Sequence, residues 1–143
     1  MGLIIEICEG DWATLGEAAG EIRRRVFIEE QQVPREEEWD GRDSDCRHFL
    51  ALHEGNPLGT ARLLPDAHIG RVAVLAEARG LGIGVALMRA AIDAARRDGH
   101  ARVELAAQTH ALAFYEHLGF MAVGDEFLDA DIPHRNMYLS LSE

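Results

Sequence analysis

The most constraining stretch of the chain is residues 69–97, IGRVAVLAEARGLGIGVALMRAAIDAARR. It opens with Arg71-Val72-Ala73-Val74-Leu75, an apolar run of strand length rich in β-branched residues. After a short turn, Leu81, Val85, Met88, Ala91, Ile92 and Ala95 recur at helical spacing, the pattern of an amphipathic helix. Between strand and helix lies Arg79-Gly80-Leu81-Gly82-Ile83-Gly84. A helix start carries N–H groups with no intrahelical acceptor, and the dipole makes that end positive. Glycines let a bulky anion approach those groups with no Cβ in the way. Arg79 adds a full charge and a fork of donors suited to phosphate oxygens. The implied ligand is a phosphate or pyrophosphate; on these residues alone, a glycine-rich turn without a ligand stands beside it.

Two common phosphate motifs are excluded. A P-loop needs a Lys-Ser/Thr pair after its last glycine, and a dinucleotide fingerprint needs a third glycine where Val85 stands. The 143 residues suit a single domain, 1–143, with room for a core, and 48% hydrophobic with 27% charged residues indicate an ordinary globular protein. No apolar run approaches the ~20 residues of a membrane span, and the start of the chain lacks signal-peptide features, so a cytoplasmic protein without membrane contact is expected. Cys8 and Cys46 show no metal or redox spacing and are expected as reduced thiols. None of the seven histidines has zinc spacing, so no metal is expected. The net charge of −11 argues against nucleic acid as a partner and leaves room for a cationic substrate.

Read in order, residues 3–7 form a first strand, and Asp11 is an N-cap for a helix over residues 12–31 that Gly16 and Gly20 interrupt. Ile22, Val26 and Phe27 make its apolar seam, with the arginines around them facing solvent. Val33-Pro34 ends it, and residues 34–46 read as an acidic loop. Residues 47–53 and 58–64 are two strands joined as a hairpin. After the strand–turn–helix come a strand at 102–107, a short helix at 109–120 closed by glycine, and strands at 121–128 and 136–141. Trp12 and Trp39 are read as packing residues. Hairpins mixed with crossover helices predict a mixed sheet.

Arg-x-x-Gly-x-Gly after a strand resembles the acetyl-CoA-binding motif of the GNAT N-acetyltransferases. A second stretch, Gln108, Ala111, Phe114, Tyr115, Gly119 and Phe120, is similar to another motif of that family, with Gln108 where Asn is usual. Ala76 stands where a proline is common. Residues 26–31, 107–110 and 131–134 resemble most the ElaA-like branch, in which Gln108 is no departure. The resemblance covers nearly the whole chain. It implies an α/β (α+β) GNAT fold: a central mixed, mostly antiparallel twisted sheet of about seven strands flanked by helices, with a splayed acetyl-CoA-binding strand.

The resemblance further implies acetyl transfer from acetyl-CoA to a primary amine of a small molecule or peptide, by direct attack in a ternary complex, in a monomer or homodimer. The alternative is an acyl-CoA-binding regulatory protein with little transferase activity. Val72, Ala73 and Val74 would hold the pantetheine arm, and the N–H groups of Gly80, Leu81, Gly82, Ile83, Gly84 and Val85, with Arg79, the pyrophosphate. Gln108, Ala111, Phe114 and Tyr115 would complete the cofactor side. A freed N–H in or next to Val74 would stabilise the oxyanion. Tyr115, a phenol protonated at neutral pH, is the candidate general acid. Glu30, His110 and His134 are the candidate bases, and Glu29, Glu30, Gln31 and His134 the acceptor side. The acidic segment 29–45 is expected to wall the acceptor entrance and attract an ammonium group.

Overall fold

The computed structural model describes residues 4–141. Seven strands form two antiparallel sheets, one of order β1-β2-β3-β4 and one of order β5-β7-β6. The strands are β1 (Glu6–Gly10), β2 (Arg47–His53), β3 (Asn56–Leu63), β4 (Ile69–Val74), β5 (Arg102–Gln108), β6 (Met121–Asp129) and β7 (Ile132–Ser140). The first strand therefore sits later than residues 3–7, and Leu3 lies outside the described residues.

The helices are α1 (Trp12–Arg23), α2 (Arg35–Glu38), α3 (Ile83–Arg97) and α4 (Leu112–His117). Asp11 caps α1 by accepting a hydrogen bond from the Thr14 N–H at 2.9 Å. The helix does not break at its glycines. Gly16 packs on the Trp12 indole so closely that a Cβ there would lie 2.8 Å from it. Regularity changes instead at Arg24, where a π-helix (Arg24–Glu30) begins and ends with Gln31 N–H donating to Val26 C=O at 3.0 Å. Such wide turns concentrate at functional sites. The expected acidic loop holds α2 and a 3₁₀ turn at Asp43–Asp45.

Strand alternation gives the first sheet two covered faces. Phe49, Ala51, Ala61 and Leu63 join Ile83, Leu87, Met88 and Ala91 of α3 in the larger core. Leu50 and Ala73 pack with Ala19, Ile22 and Val26 beneath α1 and the π-helix. Leu81 does not belong to the α3 seam and is 50% exposed. Gly80 and Gly82 hold φ of +81° and +82°, which bars them from a right-handed helix and delays its start to Ile83.

Among the described residues the two sheets pair by backbone where β4 and β5 begin. A parallel bridge joins His68 to Glu104, and Glu104 N–H donates to Ala67 C=O at 3.1 Å. Beyond it the strands separate, so the expected splay divides the seven-stranded layer in two. β4 also carries a bulge: two steps of β3, from Thr60 to Arg62, face three of β4, from Gly70 to Ala73. Arg71 sits within it at φ +50°, a sparsely populated conformation for a residue with a side chain. At the other end, β6 and β7 join through Ala130-Asp131, both at positive φ. β7 thus starts at Ile132 rather than 136, and Pro133 is tolerated because β5 reaches only to His134.

Candidate active site

The splay opens a cleft of about 1250 Å³ between the sheets. On its β4 side, Val72, Ala73 and Val74 line the wall. Leu75 N–H is bonded to Leu58 C=O of β3 at 2.9 Å, so by ladder alternation the polar groups of Val74 face the open edge. The Val74 carbonyl indeed accepts Arg79 Nε at 3.1 Å, from outside the sheet.

At one end of the cleft lies the start of α3. Gly80, Gly82, Ile83, Gly84 and Val85 all line it, and no side chain caps the helix. Ala86 is the first residue whose N–H finds an acceptor there, the Gly82 carbonyl at 3.1 Å. A Cβ added at Gly80 or Gly82 would meet nothing within 4 Å, so the space above these backbone groups is open. Gly84 is different: its Cβ would press on the Phe114 ring at 3.2 Å. Phe114 and Ala111 line the same cleft.

Tyr115 also lines it, packed edge-to-face on Phe114 at 5.0 Å and on Phe120 at 6.0 Å. Burial pushes its phenol up to about 12, because the phenolate would lose hydration with no cation to replace it. The group stays protonated through the physiological range.

Across the cleft, the π-helix delivers Glu30 and Gln31 to the lining. Glu30 is bound by the Arg79 fork at 2.6 and 2.7 Å, which holds its carboxyl below the usual range. Gln31 Oε1 accepts Gln108 Nε2–H at 2.9 Å. Gln108 Oε1 in turn faces His110 Nε2 at 2.6 Å. His134 is buried, stacks on Phe127 and lies 2.6 Å through Nδ1 from the Ile132 carbonyl. A carbonyl only accepts, so Nδ1 of His134 carries the proton.

Two predicted site residues are not brought together with the others. Leu81 points to solvent, and Glu29 pairs with Arg24 on the outer side of the π-helix. The acidic segment is paired in part: Glu36 and Glu37 are exposed, with Glu37 in the cleft lining, while its inner carboxylates meet arginines. Glu38, Asp40 and Asp43 are neutralised by Arg23, Arg62 and Arg71, so they present no free negative face. Arg23, expected in solvent, is 1% exposed, lies against Trp12 and Trp39, and binds Glu38 at 2.9 Å and Asp43 at 2.7 Å. Burying its guanidinium is tolerable because two carboxylates and two rings replace the lost water. Sequence reading missed Arg62 and Arg71 in the cleft lining, since only the β4 bulge and long-range pairing put them there. Among the described residues no group of His, Cys, Asp or Glu is arranged to hold a metal. Among the described residues no helix is long and apolar enough to cross a membrane.

A family model described as Acetyltransferase (GNAT) domain matches residues 16–141. The uncharacterized N-acetyltransferase YjcF of Bacillus subtilis (strain 168) is 37% identical over 120 residues, covering 81% of this chain and 86% of that protein. An acyl-CoA N-acyltransferase from Pseudomonas aeruginosa superposes with a TM-score of 0.84 at 36% identity, over 96% of this chain and 100% of that one. ElaA of Escherichia coli gives the same TM-score at 29% identity, again over 96% and 100%. With the family model matching residues 16–141 and the overall fold shared with ElaA, the chain belongs to the GNAT acetyltransferase family.

Proposed function

We propose that the protein transfers an acetyl group from acetyl-CoA to a primary amine of a small molecule or peptide by direct attack in a ternary complex. The observation that carries this reading is one continuous cleft joining an uncapped helix start, an open β4 edge and a half-buried, protonated tyrosine. The residues fit the donor. Free N–H groups of Ile83, Gly84 and Val85, under open space at Gly80 and Gly82, suit a pyrophosphate. The β4 edge at Val74, which no neighbouring strand covers and whose carbonyl Arg79 can release, suits an extended amide-bearing arm. Bound there, acetyl-CoA would supply the activated acyl group.

The protein's own groups then have separable tasks. Arg79 exchanges Glu30 for a phosphate oxygen. The Val74 N–H, on the open edge, donates to the carbonyl oxygen as negative charge develops. Tyr115 donates its proton to the departing sulfur. Glu30, held as a carboxylate by Arg79, is a poor proton acceptor, so we assign it to the donor mouth. His110, exposed to solvent at the cleft, is the base that takes a proton from the acceptor ammonium. His134 and Gln31 belong to the acceptor wall.

A panel of primary amines with acetyl-CoA, read by release of free CoA thiol, tests the activity. With an accepted amine, Tyr115→Phe should lower kcat by roughly 10²-fold while acetyl-CoA affinity measured by calorimetry changes little. Wild-type turnover in that variant would return Tyr115 to a packing role.

A further inference from the structure

We propose that Gln108 is the positioning residue for His110: clamped by Gln31 from across the cleft, it fixes the imidazole with its proton on Nε2 and its lone pair on Nδ1. This deepens the functional reading above and rests on it only for the identity of the proton that His110 accepts.

The geometry is a chain of two hydrogen bonds through one amide. Gln108 Nε2–H donates to Gln31 Oε1 at 2.9 Å, which orients the amide. Its Oε1 is thereby turned to His110 Nε2 at 2.6 Å. An amide oxygen has no proton to give, so Nε2 must be the donor and Nδ1 the free acceptor in the neutral ring. Gln31 ends the π-helix, Gln108 ends β5 and His110 lies in the following 3₁₀ turn. The bridge therefore links the acceptor wall to the second sheet where the splay is open. Within the proposed reaction, Nδ1 takes one N–H proton from the acceptor ammonium, leaving a neutral amine and an imidazolium that returns the proton to water. The titratable residues of the elements packed on this turn are Tyr115, Glu116 and His117 of α4, and His134, Arg135 and Tyr138 of β7. Glu30 adjoins Gln31 on the opposite wall, already paired with Arg79.

Two readouts test this. Long-range ¹H–¹⁵N spectra of the labelled protein, recorded without any acceptor, report the His110 tautomer. Wild type should show the Nε2–H form with slowed exchange of that proton. Gln108→Met and, as a second variant, Gln31→Met should lose the slow exchange, whereas Gln108→Glu should keep it. An Nδ1–H form in wild type, or identical Nε2–H exchange in wild type and both Met variants, overturns the proposal. With an amine accepted in the panel, Gln108→Met should lower kcat/KM about tenfold on the acidic limb of its pH profile, with Gln108→Glu restoring most of it. An unchanged profile in Gln108→Met also overturns it. Absence of turnover with every amine would instead count against the transferase reading, while the spectra still decide the positioning.

Discussion

Arg23 and Arg79 each meet carboxylates from distant parts of the chain, in opposite surroundings. The Arg23 side chain is 1% exposed, and its guanidinium is shared between Glu38 and Asp43 and stacked between two indoles. Asp43 passes the network on to Arg62, and Asp40 binds Arg62 at 2.6 Å. Arg79 and Glu30 face each other with side chains 43% and 42% exposed. Both arrangements contain short, two-pronged contacts. In the first, water cannot replace a lost partner, and removing one carboxylate strands a buried charge. In the second, water solvates either partner at once, and the pair is worth about 0–1 kcal/mol. Only the second can be traded for a ligand, and it sits at the uncapped end of α3.

The largest expected effect comes from breaking the buried group. Glu38→Gln should destabilise the fold by about 3–5 kcal/mol, read as a lower denaturation midpoint. A loss below about 1 kcal/mol would place Arg23 with the exchangeable pairs. Acid sharpens the same contrast. Asp40 and Asp43 are held below the usual carboxylate range in the fold, Asp40 chiefly by the hydrogen bond from Arg62 and Asp43 by Arg23 and Arg62 against the opposing effect of burial. Their stabilisation is complete above the unfolded value near 4 and lost as pH falls through the folded one. Stability should therefore drop below about pH 4, and Asp40→Asn should flatten that slope. Glu30 is shifted in the same direction but largely exposed, so Glu30→Gln should leave the slope nearly unchanged.

The contrast also marks what the sequence could convey. The Gly80–Gly84 spacing, the α4 motif and the succession of elements along the chain were legible because each is local: a turn chemistry, a helical period, an alternation. Nearly all of the predicted cofactor side therefore lines one cleft, Leu81 excepted, since its helix starts later than the period suggested. Charge partners were not legible. Arg23 is the first of three consecutive arginines, and nothing local distinguishes it from Arg24 or Arg25, which pair at the surface with Glu21 and Glu77. Its burial depends on Trp39, Glu38 and Asp43 folding back over α1, fifteen to twenty residues on. The same long-range pairing takes Glu38, Asp40 and Asp43 out of the acidic segment and leaves Glu36 and Glu37 exposed.

A smaller effect separates the two arginines by function. Arg79→Met should change stability by no more than about 0.5 kcal/mol, as surface substitutions usually do. It should weaken acetyl-CoA roughly 10- to 100-fold, the cost of a charge-assisted hydrogen bond to phosphate of about 1.5–3 kcal/mol. Calorimetry with acetyl-CoA and a denaturation curve on one preparation give both numbers. A destabilised protein with unaltered affinity would make Arg79 a second Arg23.

The smallest effect bears on whether Glu30 competes with the donor. If Arg79 must release Glu30 to reach a phosphate, the apparent affinity for acetyl-CoA is reduced by the free energy of that exposed pair. Removing the charge while keeping the shape, in Glu30→Gln, leaves the Arg79 fork with a weaker neutral partner. Affinity for acetyl-CoA should then rise about two- to fivefold, the factor that corresponds to roughly 0.4–1 kcal/mol. The Val74 carbonyl, now bound by Arg79 Nε at 3.1 Å, would be released in the same step, so the β4 edge opens as the fork turns away. Added salt screens the pair in wild type and leaves less to screen in the variant, so the affinity ratio should shrink as ionic strength increases. Titrating both proteins with acetyl-CoA at two salt concentrations measures this directly. An affinity that falls in Glu30→Gln would mean that Glu30 holds the arginine in place for the phosphate instead of withholding it.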